Sequence, residues 1–174
     1  MDRVMYLVLV AVTALTYAAM AFWTMPAIAE ATGGALPLDM HLGGYGMAEA
    51  EAFKEALTPD AVALLLGPQL YLDAVFPLLF ALSLALPING LLRGRPAALR
   101  IVGTLVPMLA AAHDYAENIL LVRLVQLGMA DLPMSLVEMA SRATTLKAGF
   151  NMVAIVLVIA LFLATLFDQR RARA

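Results

Sequence analysis

The strongest constraint on this chain is a set of uncharged apolar runs long enough to cross a lipid bilayer. Val4 to Met25 holds no charged residue, nor does Ala148 to Phe167, and Ala61 to Leu92 holds only Asp73. About 20 apolar residues cover the ~30 Å hydrocarbon core of a membrane, so each run is read as a membrane helix. Ile101 to Val122 is a fourth, provided that His113, Asp114 and Glu117 are tolerated inside it. These runs take up most of the 174 residues. The sequence therefore predicts an all-α, four-transmembrane-helix bundle in one membrane domain. Its spans are about 4–25, 66–90, 101–122 and 145–167, and an outer loop, 26–60, carries a short amphipathic helix.

Composition excludes several classes of function. The chain is 63% hydrophobic and 14% charged, whereas a soluble domain is nearer half apolar and a quarter charged. With no cysteine, disulfides, thiolate metal sites and thiol catalysis are ruled out. A formal net charge of −2 argues against nucleic acid as a partner, because phosphate binding needs cations.

The charges that remain set an orientation. Arg3 precedes the first span, Arg93, Arg95 and Arg100 lie between the second and third, and Arg170, Arg171 and Arg173 follow the fourth. The segment after Pro26 instead holds Glu30, Asp39, Glu49, Glu51, Glu55 and Asp60 against Lys54 alone. Cations concentrate on the cytoplasmic side. The expectation is a multi-pass protein of the bacterial inner membrane with both termini cytoplasmic and the long first loop periplasmic. Ala27-Ile28-Ala29 resembles a signal cleavage site, but the preceding apolar run is longer than a signal core. An uncleaved first span is expected.

Punctuation supports these elements. Thr58-Pro59-Asp60 reads as N-cap, N1 proline and first-turn acid of the second helix. That helix is interrupted at Gly67-Pro68, Pro77 and Pro87, where neighbouring groups must satisfy freed carbonyls. Met47, Ala50, Phe53 and Leu57 recur at helical spacing in the outer loop. Ser135 to Glu138 has the form of a capping box for the last helix.

Polar residues at matched depth carry the functional signal. At 1.5 Å per residue from the inner side, His113 is ~20 Å deep, Glu117, Asn118 and Asn151 are ~26 Å deep, and Asp73 and Lys147 are ~30 Å deep. Three helices thus contribute to one layer in the outer third of the bilayer. His113, Asp114, Glu117 and Asn118 share a sector of about 140°, together with the small residues Gly103 and Ala110. Gln69 lies one turn before Asp73, and Thr144 and Asn151 share a stripe with Lys147.

Three chemistries fit this layer. The first is a structural or ligand-binding network of Gln69, Asp73, Asp114, Asn118, Arg142, Lys147 and Asn151, with Arg123 a further cation for the acids. The second is acid–base catalysis on a lipid-like substrate, with His113 and Glu117 exchanging protons and Asp73 and Asp114 orienting them. The third is a metal site on His113, Asp114, Glu117 and Asp73, joined by Asp39 and His41, though no spacing is diagnostic and Lys147 opposes a cation. No cofactor is expected. No serine has a histidine at matching depth, Gly43 to Gly46 follows no strand, and the methionines are scattered as packing residues are. The expected partners are membrane lipid and other membrane subunits or a second copy.

Two resemblances add to this. The H-x-x-x-E spacing of His113 and Glu117 is similar to one in sterol isomerases of the emopamil-binding type, which implies isomerisation, although only these two residues match. More of the chain, from about Pro37 to Asn151, resembles a broad group of uncharacterised bacterial four-helix integral membrane proteins. The matching residues are Gly44-Tyr45, Asp73 with Pro77, Asp114 with Glu117-Asn118, and Lys147. This implies that the polar layer belongs to a shared architecture, and it does not choose between structure and catalysis. The function expected is binding of a hydrophobic ligand or service as an accessory membrane subunit; the alternative is a small acid–base enzyme acting on a lipid.

Overall fold

The structure, a computed structural model, describes residues 2–171; Arg173 of the inner-side cluster lies outside them. The described residues are largely helical and contain no strand. Helix α1 runs from Arg3 to Ala31, α2 from Met47 to Ala56, α3 from Pro59 to Leu91, α4 from Ala97 to Gln126 and α5 from Met134 to Arg171. Three of these, α1, α3 and α5, are long and apolar enough to cross a membrane. At 30 residues α4 is also long enough, but its polar run His113 to Asn118 lowers its mean hydropathy.

Proline shapes these helices without ending them. A proline removes one N–H and crowds the carbonyl four residues back. In α1 a π-turn over Met20–Thr24 absorbs Pro26, and the helix runs on to Ala31, past the expected end at Met25. In α3 a π-turn over Leu65–Gln69 surrounds Gly67-Pro68, with Gly67 at φ −107° and ψ −107°. The carbonyls freed by Pro77 and Pro87 find side chains instead. Asn118 Nδ2 donates to the Asp73 carbonyl at 3.3 Å, and the Tyr6 hydroxyl donates to the Ser83 carbonyl at 3.1 Å.

Helix ends follow the sequence in one case and depart from it in another. The Thr58 hydroxyl accepts from Ala61 N–H at 3.2 Å, so Thr58 caps α3. The expected Ser135 cap is not formed, because α5 begins at Met134 and the first carbonyl to accept is that of Pro133. Proline cannot donate and readily leads a helix, which places Ser135 inside the first turn.

The helices form an open ring. Helix α3 packs on α1 and α4, and α4 on α5; α5 leans on α3 and makes at most marginal contact with α1. Close packing of α4 depends on Gly103, where a Cβ would lie 3.0 Å from Leu92 Cδ1 and 3.1 Å from Ile88 Cγ2. At one end, α2 places Ala50 and Phe53 in a buried cluster with Leu38, Tyr45, Leu124, Val137 and Ala140. Lys54 locks this cap by donating to the carbonyls of Leu124 at 2.6 Å and Leu127 at 2.7 Å, which serves the open C-terminus of α4.

Candidate functional site

Two features stand beside each other, a buried polar layer and an open lateral groove. The layer is centred on Glu117, which has no exposed side-chain surface. Each of its two oxygens has a donor: Thr144 donates its hydroxyl to one, and Lys147 its ammonium to the other. Lys147 also lies 3.7 Å from Asp114. One lysine of α5 therefore faces two carboxylates presented one turn apart by α4.

A second chain of bonds joins α1, α3 and α4. The Thr24 hydroxyl donates to Gln69 Oε1, linking the two π-turns, and Gln69 Nε2 donates to Asp73 Oδ2 at 2.7 Å. Asn118 and Tyr115 complete it from α4, bonding to the carbonyls of Asp73 and Ala74. Asp39, Gln69, Asp73 and Asn118 border a cavity of about 50 Å³, room for one or two waters.

The outer loop seals this layer. Gly44 has φ +96°, and a Cβ there would come 3.0 Å from Ser141 Oγ, so a side chain at this position is strained and crowded. The turn lets Tyr45 N–H donate to Ser141 Oγ at 2.8 Å. The Tyr45 ring, 9% exposed, enters the core, and its buried hydroxyl has no partner among the described residues. Burial pushes the Tyr45 phenol up. Burial also raises the Asp39 carboxyl, against the pull of the Lys147 ammonium. In the same loop, the Glu49 carboxyl is lowered because it accepts the Gly46 N–H at 2.9 Å.

Not every residue expected in the layer joins it. His113 Nδ1 donates to the Leu109 carbonyl at 2.8 Å, and its ring lies 5.3 Å from that of Phe150. No hydrogen bond joins His113 to Glu117 among the described residues. Arg142 and Arg123 are exposed, and neither makes an ion pair among the described residues. Nor do any three His, Asp or Glu side chains of the described residues approach closely enough to share a metal ion. Thr24, Tyr45 and Tyr115 contribute bonds the sequence did not single out. Tyr45 had a signal in the Gly44-Tyr45 pair, while Thr24 and Tyr115 had none.

The groove fills the gap between α1 and α5, with α3 as its floor. Its volume is about 1200 Å³ and its walls are mainly apolar. Tyr17, Phe76 and Phe80 form an aromatic row along it, with centroids 5.8 Å and 5.4 Å apart and the two phenylalanines within 14° of parallel. Lower down, Thr13 and Ser83 satisfy each other at 3.0 Å. The groove reaches Lys147 and Asn151 but neither His113 nor Glu117. Asn151, half-buried, makes no side-chain hydrogen bond among the described residues. Such a site can hold an elongated apolar molecule; nothing in it places a free acid beside a free base. Compared with protein-family models, curated proteins and solved structures, the chain matches none.

Proposed function

We propose that this is a four-span protein of the bacterial inner membrane that holds a hydrophobic ligand in its lateral groove. The observation that carries the reading is the groove itself, about 1200 Å³ of mainly apolar space between α1 and α5 with a polar end at Lys147 and Asn151. Ligand pockets are concave, apolar and supplied with a few polar groups, and this one opens toward the side from which a lipid arrives.

Four spans follow if α4 is counted with the three more apolar helices. Its acids cost less than mid-bilayer charges would, since they lie near one interface and are paired with Lys147. Phe22, Trp23 and Tyr71 are exposed and lie ~30 Å from the inner-side arginines. Aromatic residues favour that interfacial depth. The arginines at one side and the acidic loop at the other support cytoplasmic termini and a periplasmic loop whose helix α2 caps the bundle.

Acid–base catalysis through His113 and Glu117 has less behind it. Both oxygens of Glu117 already accept, from Thr144 and Lys147, and the groove does not reach it. The groove reading is tested by growing cells on a photoreactive fatty acid, irradiating the membranes and mapping the adducts. Adducts should concentrate on Tyr17, Phe80 and Met152. Even labelling of all lipid-facing residues, including Val8 and Val156, would overturn it.

A further inference from the structure

Asn151 lies within a membrane-spanning stretch of α5, faces an apolar groove, and bonds to no side chain or backbone group of the described residues. An amide in hydrocarbon that lacks a partner is costly, and polar groups at membrane depth are normally satisfied. Of the other polar groups along the groove, only the exposed Tyr17 hydroxyl likewise makes no hydrogen bond among the described residues; Thr145 donates to the Ser141 carbonyl. Thr13 and Ser83 bond to each other, Tyr6 serves the Ser83 carbonyl, and the Lys147 charge is already met by Glu117 and Asp114. The vacancies are thus a neutral amide and a phenol hydroxyl, each able to donate and to accept. Their complement is a hydroxyl or carbonyl, not an ionised head. An anionic head is disfavoured further by the acidic loop above the groove, where Lys54 is spent on the α4 carbonyls.

The aromatic row lies close to the level of the amide. Counted from the inner side, Asn151 and Phe76 are both ~26 Å deep, and Tyr17 and Phe80 are ~20 Å deep. Saturated chains gain little from rings that leucine would not give, whereas planar conjugated groups stack on them. Below the row the groove continues toward Tyr6 as an apolar slot, over ~15–20 Å. The occupant is therefore flat and carbonyl- or hydroxyl-bearing at one end and apolar at the other.

We propose that the groove binds a membrane quinone or its quinol, with the ring on Phe76 and Phe80, an oxygen on Asn151, and the prenyl tail running toward Tyr6. This rests on the groove reading and concerns binding only.

The test is binding of a short-tailed ubiquinone to the full chain in detergent, by native mass spectrometry, with farnesol and phosphatidylglycerol as comparison ligands. The quinone should bind tightest. Asn151→Leu and, separately, Phe80→Leu should each weaken it about three- to tenfold, without changing the weak binding of phosphatidylglycerol. Asn151→Leu removes an unpaired amide, so its folding is not at risk. Gly149→Leu separates this proposal from the one beneath it, because Gly149 lines the groove and a Cβ there meets nothing within 4 Å, so the added bulk is free to occupy groove space. If farnesol or phosphatidylglycerol binds as well as the quinone, and Gly149→Leu abolishes both, the quinone assignment fails while the groove reading stands. If Gly149→Leu leaves all binding unchanged, both fail.

Discussion

Glu117 and Lys147 are both withdrawn from water, and each depends on the other for compensation. Removing one member of a buried pair strands the second charge, at about 3–5 kcal/mol, whereas replacing both by apolar groups is often near neutral. Glu117→Gln and Lys147→Met should therefore each lower stability in detergent by about 3 kcal/mol, and the double variant should recover most of that. Additive losses in thermal unfolding would show that the two do not act as a pair. Asp39 gives a pH signature. Its folded-state carboxyl is raised by burial, so the proton favours the folded loop. That contribution is fully present below the unfolded value of 3.8 and is lost as pH rises through the folded value. Thermal stability should fall as pH rises from 3.8 through the raised folded value, and Asp39→Asn should flatten the profile. At this scale the sequence was legible where two residues sit one turn apart at matched depth, as Gln69 and Asp73 do, or across helices, as Glu117 and Lys147 do. It was not legible where rotation decides. Arg142 and Thr144 precede Lys147 by five and three residues, and at ~100° per residue only Thr144 shares its face. His113 shares a sector with Glu117, yet the ring turns back to its own helix. Tyr45 owes its place to a left-handed glycine in an aperiodic loop.

Among the elements, α1 and α3 carry remedies for their prolines. Two prolines are absorbed by π-turns, and two have their freed carbonyls bonded by Asn118 and Tyr6. Proline positions were readable, but the partners were not, since they come from other helices. The π-turns also shift the phase of everything after them, which hid the Thr24–Gln69 link. The loop helix α2 was readable from its spacing, and its anchoring by Lys54 was not. Bonds from a charged donor contribute about 1.5–3 kcal/mol each when buried, less for a partly exposed lysine. Lys54→Met should loosen the α2 cap by about 1–2 kcal/mol, seen as faster hydrogen exchange over Met47–Ala56 with α3 unaffected. Equal exchange in the variant and the parent would remove the anchoring role.

Across the whole molecule, the apolar runs announced the helices but not the order in which they close. The ring is left open between the first and last helices, and that gap, not the polar layer, forms the large apolar groove. The polar layer fixes α3, α4 and α5 beside it. Groove and layer can be perturbed separately, because Gly149 lines the groove and a Cβ added there meets nothing within 4 Å. The most direct test is the amount of lipid that co-purifies with the intact chain from its membrane, measured by native mass spectrometry for the parent and for Gly149→Leu at equal thermal stability. The groove account predicts a stoichiometric lipid on the parent and its loss from the variant. Equal lipid on both proteins would contradict it.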